Sequence, residues 1–303
     1  MYRSILVPLD RSSLAEQALP LARSIAQRAN SKLDLVEVHA LYALEDPNAG
    51  WLPFDRDRDA ECKQQEQLYL DATAKLVGSL SPLTVTAGVL TGSAVLAETV
   101  ADSILERART GNADLIVMTT RGRGVVSRFA LGSVADELVR RAPIPVLLMR
   151  PTEKAPVVTA EPVIDNILIP LDGSPLAEQI LEPALDMARL MEARCTLLRV
   201  VEARSSPGDR REPPENAQAE AYLERVAERL REQGYQVHTH VVVARHTVEA
   251  ILAEAAALAN SLIAVATHGR GGFNRLLLGS VADKLIRTAA SPVLVYRPTE
   301  NHR

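Results

Sequence analysis

The chain repeats itself at the scale of a whole domain. Residues 131–153 and 278–300 align without gaps, and sixteen of their 23 positions are identical. The segments 5–17 and 167–179 match in the same way, from ILVPLD in the first to ILIPLD in the second. A repeat of about 150 residues is too long for a solenoid unit and is the usual size of a globular domain. The sequence therefore predicts two similar domains in tandem.

The repeat also sets the expected domain boundaries. We assign residues 1–150 to the first domain and 164–303 to the second, with 151–163 as the link between them. The link contains three prolines among mixed polar residues, which favours a short, extended connection. The domains differ most after their second predicted strand, where the first carries a longer stretch that includes the only tryptophan, Trp51.

Each copy alternates short runs rich in β-branched residues with segments whose apolar residues recur at helical spacing. This alternation is typical of an α/β fold, in which helices cover both faces of a parallel sheet. The predicted strands of the first copy are Ser4–Pro8, Leu33–His39, Thr84–Leu90, Asp114–Thr119 and Pro145–Arg150. Those of the second copy are Asn166–Leu171, Thr196–Val201, Gln236–Val243, Leu262–Thr267 and Pro292–Arg297. Ligands of such sheets bind beyond the carboxyl ends of the strands, so functional residues are expected at those ends.

Composition excludes several classes of protein. Apolar residues make up 47% of the chain and charged residues 24%, which is typical of a globular protein. The net charge of −4 provides no field that would attract nucleic acid or an anionic membrane. The N-terminus lacks a signal peptide's apolar core, and no apolar run approaches the roughly 20 residues of a membrane span. We therefore expect a cytoplasmic protein, with Cys62 and Cys195 as free thiols rather than a disulfide.

An aspartate follows the first strand of each copy. Asp10 and Asp172 end the Pro-Leu-Asp sequence, and Ser12 and Ser174 come two residues later. A carboxylate in this turn can accept a hydrogen bond from a ligand hydroxyl or amine. Alternatively, it serves only the turn, through an Asx-type hydrogen bond to the backbone.

A glycine- and arginine-rich loop follows the fourth strand of each copy, as TTRGRGVVSR at 119–128 and ATHGRGGFNR at 266–275. Glycine lets backbone amides approach a ligand closely, and Arg123 and Arg270 add positive charge. Such a loop is suited to holding phosphate.

The next helix of each copy opens with Gly-Ser, at Gly132–Ser133 and at Gly279–Ser280. The amides at a helix start and the positive end of its dipole favour an anion. Alternatively, each serine and the aspartate three residues later form an ordinary capping pair. Taken together, the three features predict a ligand that carries phosphate.

Both copies resemble the universal stress protein (UspA-like) domain over essentially the whole chain. The resemblance rests on the opening strand with Pro-Leu-Asp, and on THGRGG, LLLGSVADKLIR and SPVLVYRP in order in the second copy. It implies a Rossmann-like, five-stranded parallel sheet of strand order 3-2-1-4-5, flanked by helices, in each domain. It also implies that the domains pair through their fifth strands, and it leaves a further homodimer open. Many members of this family bind ATP or AMP, and others do not.

Nucleotide-binding members of that family carry a glycine, two residues, a second glycine, nine residues, and then Gly-Ser or Gly-Thr. The matching positions are Thr119, Gly122, Gly132 and Ser133 in the first copy, and Ala266, Gly269, Gly279 and Ser280 in the second. The spacing is intact, but both copies lack the first glycine. The resemblance further implies that adenine lies near the end of the second strand, at Val38 or Val200. Ala266 crowds a ligand less than the branched Thr119, so the second copy is expected to bind better.

These observations predict a stress-response protein that binds an adenine nucleotide, ATP with or without Mg²⁺, as a ligand or regulator. Two alternatives stay open, a nucleotide-free scaffold that acts through protein partners and a slow ATP hydrolase. We predict no catalytic residue, because no Walker lysine follows the loop and no nucleophile–base pair is apparent. We also predict no protein metal site, because the sequence shows no third ligand near His238 and His240.

Overall fold

The computed structural model shows one ten-stranded sheet that runs through both domains. It describes residues 2–39, 45–46, 50–51, 56–91, 99–122, 131–153, 157–203, 214–268 and 278–298. Among the helices within these ranges, none is both long and apolar enough to cross a membrane.

The first domain contributes five strands to the large sheet and a separate two-stranded ribbon. The large-sheet strands are β1 (Ser4–Pro8), β2 (Lys32–His39), β5 (Val85–Thr91), β6 (Leu115–Thr119) and β7 (Val146–Met149). The ribbon pairs β3 (Glu45–Asp46) with β4 (Gly50–Trp51) and was not predicted from the sequence. The helices of this domain are α1 (Leu19–Ala29), α2 (Arg56–Leu80), α3 (Val100–Thr110) and α4 (Ser133–Arg141).

The second domain repeats this order. Its strands are β8 (Asn166–Pro170), β9 (Arg194–Glu202), β10 (Val237–Ala244), β11 (Ser261–Ala266) and β12 (Val293–Tyr296). Its helices are α5 (Pro175–Glu178), α6 (Leu181–Met191), α7 (Pro214–Glu232), α8 (Thr247–Ala257) and α9 (Ser280–Thr288). Helix α7 ends two residues before Gly234, whose φ of +88° is the left-handed conformation that glycine commonly adopts after a helix.

The strand order confirms the predicted α/β class. Read across the sheet, the order is β5-β2-β1-β6-β7 in the first domain and β10-β9-β8-β11-β12 in the second. Each is the doubly wound order 3-2-1-4-5, and every pair of neighbours within a domain is parallel. All ten predicted strands are present, with ends that shift by at most two residues.

The two domains meet at their fifth strands, which pair antiparallel. Leu147 lies opposite Leu294, its counterpart in the repeat, and the flanking pairs are Val146 with Val295 and Leu148 with Val293. A register in which one residue faces its own repeat partner is what a local twofold relation produces. The pairing satisfies backbone groups that would otherwise be unpaired at two apolar sheet edges.

Alternation along the strands divides the core into two layers. In β1, Ile5 and Val7 face the layer that includes α1 and α6, whereas Leu6 faces the layer that includes α3 and α4. Each layer continues across the junction, because both clusters contain residues of both domains. The Tyr2 hydroxyl also donates to the Pro183 carbonyl at 3.0 Å, and thereby connects the domains within the core.

Candidate functional site

The aspartate after the first strand forms the predicted turn in both domains. Asp10 Oδ1 accepts hydrogen bonds from the Ser12 amide at 3.0 Å and from the Ser12 hydroxyl at 2.5 Å. Asp172 Oδ1 accepts from the Ser174 amide at 2.8 Å. The Asx-type role is therefore observed, and it fixes one oxygen of each carboxylate at the carboxyl edge of the sheet.

The residue within this turn has a left-handed backbone. Its φ is +80° at Gly173 in the second domain and +61° at Arg11 in the first. Glycine adopts this conformation freely, whereas a residue with a side chain adopts it at a cost of about 1–3 kcal/mol. The first domain therefore holds an arginine where the fold favours glycine.

The end of β6 packs directly on the Asp10 turn. Thr119 is buried, and its hydroxyl donates to the Arg121 carbonyl at 2.7 Å, which satisfies the polar group of this side chain. A Cβ atom added to Gly122 would lie only 2.1 Å from Asp10 Oδ2. Gly122 is thus required because a carboxylate occupies the space of its missing side chain.

The start of α4 rules out the capping pair that the sequence suggested between Ser133 and Asp136. The N-cap residue is Gly132, which has no side chain, and Ser133 is the first residue of the helix. Asp136 instead pairs with Arg140, its Oδ2 lying 2.8 Å from Nε. The proposed Ser133–Asp136 capping pair is therefore wrong, and the same holds for Ser280 and Asp283 in α9.

A backbone hydrogen bond holds each of these helix starts against the end of the fourth strand. The Gly132 amide donates to the Thr120 carbonyl at 2.8 Å, and the Gly279 amide donates to the Thr267 carbonyl at 2.7 Å. A Cβ atom on Gly279 would lie 2.8 Å from that carbonyl oxygen, so a side chain would disrupt the contact.

These elements enclose a cavity of about 370 Å³ at the carboxyl edge of the first domain. This volume lies within the range of roughly 300–1,000 Å³ that is common for small-molecule sites. Six residues of the predicted site line it, namely Asp10, Val38, Thr119, Gly122, Gly132 and Ser133. The structure thus brings together residues that lie far apart in the sequence.

One wall of the cavity carries buried charges that the sequence analysis missed. Arg11 Nε lies 2.9 Å from Glu37 Oε1, and Arg11 Nη2 lies 3.4 Å from Glu66 Oε1. Behind them, His39 Nδ1 lies 2.7 Å from Glu66 Oε2, and His39 Nε2 lies 2.8 Å from Asp59 Oδ1. Arg11, Glu37 and Glu66 line the cavity, and both glutamates are at most 5% exposed.

The charges of this wall continue to the surface of α2. Lys63 Nζ lies 2.9 Å from Asp59 Oδ2. Hydrogen bonds from Lys63 and then from His39 hold the pKa of Asp59 below its usual value. Although the wall is rich in acidic and histidine side chains, the described residues form no group arranged to hold a metal ion.

The described residues of the second domain form no such wall. Strand pairing places Pro8 beside Val36 and Pro170 beside Leu198, so Arg199 is the counterpart of Glu37 and Val201 of His39. Tyr69 donates to Glu16 at 2.9 Å and Tyr222 to Glu178 at 3.0 Å, which aligns α2 with α7. By this alignment, the residue of the second domain that corresponds to Glu66 is Ala219.

The remaining predicted residues belong mostly to the second domain. Asp172, Val200, Ala266, Gly279 and Ser280 lie at the carboxyl edge of its sheet or just beyond it. Arg123, Gly269 and Arg270 lie outside the described residues. Their proposed role in holding phosphate stays a prediction.

Comparison with known proteins identifies the class. A model of the universal stress protein family matches residues 1–150 and 164–297. The chain therefore belongs to the universal stress protein family, as a member with two tandem domains.

Individual relatives agree with this assignment. A universal stress protein of Mycolicibacterium smegmatis is 28% identical over 299 residues, which cover 97% of each chain. Another, from Mycobacterium tuberculosis, is 32% identical over 194 residues, which cover 61% of this chain and 62% of that protein. The crystal structure of a universal stress protein from Archaeoglobus fulgidus superposes with a TM-score of 0.70 at 21% identity, over 97% of this chain and 98% of that one. This structural likeness supports the fold alone.

Comparison of the two copies could have revealed the charged wall. In the alignment of the two copies, Arg11 corresponds to Gly173 and Glu37 corresponds to Arg199, and the sequence around these positions is similar. Such differences within a repeat indicate that only one copy has acquired a particular chemistry. The pairing itself joins Arg11 to residues 26 and 55 positions away, and the sequence gives no sign of that.

Proposed function

We propose that this protein binds an adenine nucleotide, with ATP as the leading candidate, in the cavity of its first domain. The observation that carries the proposal is the convergence of six predicted site residues on one cavity of suitable volume. We further propose that the nucleotide acts as a ligand or regulator of a cytoplasmic stress-response protein, and is not turned over rapidly.

The two ends of the cavity differ in charge, which suggests how the nucleotide would lie. Ser133, Val134 and Ala135 form the first turn of α4 and line one end, where the helix dipole and the first amides favour an anion. Glu37 and Glu66 line the other end together with Arg11, and their two carboxylates outnumber its single positive charge, so this end favours phosphate less. The phosphates would therefore lie at α4 and the nucleoside near β2, beside Val38.

The proposal reverses the preference that the sequence alone suggested between the two domains. That preference rested on crowding by Thr119, whose hydroxyl is instead bonded to the Arg121 carbonyl beside an open cavity. Gly122 and Asp10 fit against each other here, and the charged wall has no counterpart among the described residues of the second domain.

Two matched variants test the proposal by isothermal calorimetry with ATP. Ser133→Trp places a bulky side chain at the cavity mouth, and Ser280→Trp makes the same change at the corresponding position of the second domain. We expect Ser133→Trp to abolish most ATP binding and Ser280→Trp to change it little. Loss in Ser280→Trp alone would move the site to the second domain, and equal loss in both variants would contradict a site confined to the first domain.

A wild-type protein that fails to bind ATP, AMP or tripolyphosphate would refute nucleotide binding altogether. That result would favour the scaffold alternative, in which the domain acts through protein partners.

A further inference from the structure

Arg11 combines two unusual properties. It is a non-glycine residue with a left-handed backbone, at a φ of +61°, and its side chain points into a cavity. A strained conformation persists only where the surrounding structure fixes it, and such residues concentrate at ligand sites. The equivalent residue, Gly173, shows that the turn itself does not need an arginine.

Two buried carboxylates fix the orientation of the Arg11 side chain. Glu37 accepts from Nε at 2.9 Å, and Glu66 accepts from Nη2 at 3.4 Å. Glu66 is held in turn by His39, at 2.7 Å from its second oxygen. Because a guanidinium donates in its own plane, hydrogen bonds to two of its nitrogens restrict both its position and its tilt.

The same side chain remains accessible from the cavity. It is 28% exposed, whereas the side chains of its partners Glu37 and Glu66 are 6% and 3% exposed. With two of the in-plane donors engaged by carboxylates, a flat cationic surface is available to a ligand. Guanidinium groups stack on aromatic rings through cation–π and planar contacts.

We infer that Arg11 is a specificity-determining residue, which stacks on the aromatic base of the bound ligand. This inference rests on the proposed function and refines it. Phosphate is recognised at the α4 end of the cavity, whereas Arg11 selects a ligand that also carries a nucleobase. The second domain, with Gly173 at this position, lacks that selection.

The test compares ATP with inorganic tripolyphosphate, which has the phosphate chain but no base. Arg11→Lys keeps the positive charge and its attraction to Glu37 and Glu66 but removes the planar group. Loss of the planar stacking contact is expected to weaken ATP binding by about 3- to 30-fold. Tripolyphosphate binding should stay within about 2-fold of wild type, so the preference for ATP falls. Arg199→Lys makes the same substitution in the second domain, at the counterpart of Glu37, and is the control that should change neither affinity.

A second variant guards against misfolding. Arg11→Gly restores the residue of the second domain and suits the left-handed backbone. Thermal unfolding of each variant would show that the fold is kept, and Arg11→Gly should lose the preference for ATP as Arg11→Lys does.

Three outcomes would overturn the inference. Unchanged ATP affinity in both variants would show that Arg11 does not contact the base. Equal weakening of ATP and tripolyphosphate in Arg11→Lys would show that its contribution is not to base recognition. A wild-type protein that binds tripolyphosphate as tightly as ATP has no base selection to explain, which would refute this inference while leaving phosphate binding intact.

Discussion

Gly122→Ala should destabilise the first domain through a direct collision with Asp10. The new Cβ atom would start 2.1 Å from Asp10 Oδ2 and 3.1 Å from Asp10 Cγ. The oxygen would have to retreat by about 1.2 Å to reach the roughly 3.3 Å at which carbon and oxygen ordinarily meet. Asp10 cannot move that far and keep its hydrogen bonds to the amide and hydroxyl of Ser12, at 3.0 and 2.5 Å.

The expected loss combines overpacking with the loss of these turn bonds, and amounts to about 2–4 kcal/mol in the free energy of unfolding. Urea unfolding followed by circular dichroism would measure it. Gly88→Ala in β5 is the matched control, because no atom lies within 4 Å of its added Cβ. We expect that control to stay within about 1 kcal/mol of wild type.

A double variant identifies the partner in the collision. Asp10→Ala removes the carboxylate, so adding Gly122→Ala to it should cost much less than in the wild-type background. If Gly122→Ala proves as stable as Gly88→Ala, or if its cost is unchanged when Asp10 is replaced, the argument from steric contact fails.

Other predictions concern the junction, a helix cap and a buried thiol. Leu147→Ala and Leu294→Ala should each lower the free energy of unfolding in urea by about 2–5 kcal/mol. Because the two residues are paired, the double variant should lose less than the sum of the single losses, and strict additivity would contradict this. Hydrogen bonds, first from the Thr99 backbone and then from the Arg141 side chain, lower the pKa of Asp102 from 3.8 to about 2. A carboxyl group with a lowered pKa stabilises the fold above its unfolded pKa, so Asp102→Asn should be less stable than wild type at pH 7, with a gap that closes from about pH 4 towards pH 2; a gap independent of pH would refute this. Burial raises the pKa of Cys195 to about 12, so at pH 8 an alkylating reagent should modify this thiol only after unfolding, and rapid native labelling detected by peptide mass spectrometry would contradict it.

The sequence predicts the architecture well because the relevant signals are local or repeated. Strand periodicity and the duplication together predict the two α/β domains, and the apolar fifth strands predict their pairing. Turn chemistry is equally local, so Asp10 and Gly122 could be placed at the site before their contact was visible. What sequence reasoning could not supply is the contact itself, in which a glycine is required by a carboxylate more than 100 positions earlier.

Errors arose where two local explanations compete. The spacing of Ser133 and Asp136 satisfies a capping-pair pattern, yet the helix begins one residue earlier than that pattern requires, with Gly132 as its cap. The position of the helix start depends on a hydrogen bond from the Gly132 amide to the Thr120 carbonyl, at 2.8 Å. This bond is a tertiary contact, which the local sequence pattern does not show. The charged wall was missed for a similar reason, because Arg11, Glu37 and Glu66 come from three different elements.

The central claim is that one adenine nucleotide binds in the first domain. Native mass spectrometry of the full chain, as purified and after addition of excess ATP, counts bound nucleotides and identifies them in one measurement. We expect one tightly bound nucleotide per chain in excess ATP, with the mass of an adenine nucleotide. A chain that stays free of nucleotide in excess ATP, or that carries two with equal affinity, would contradict it.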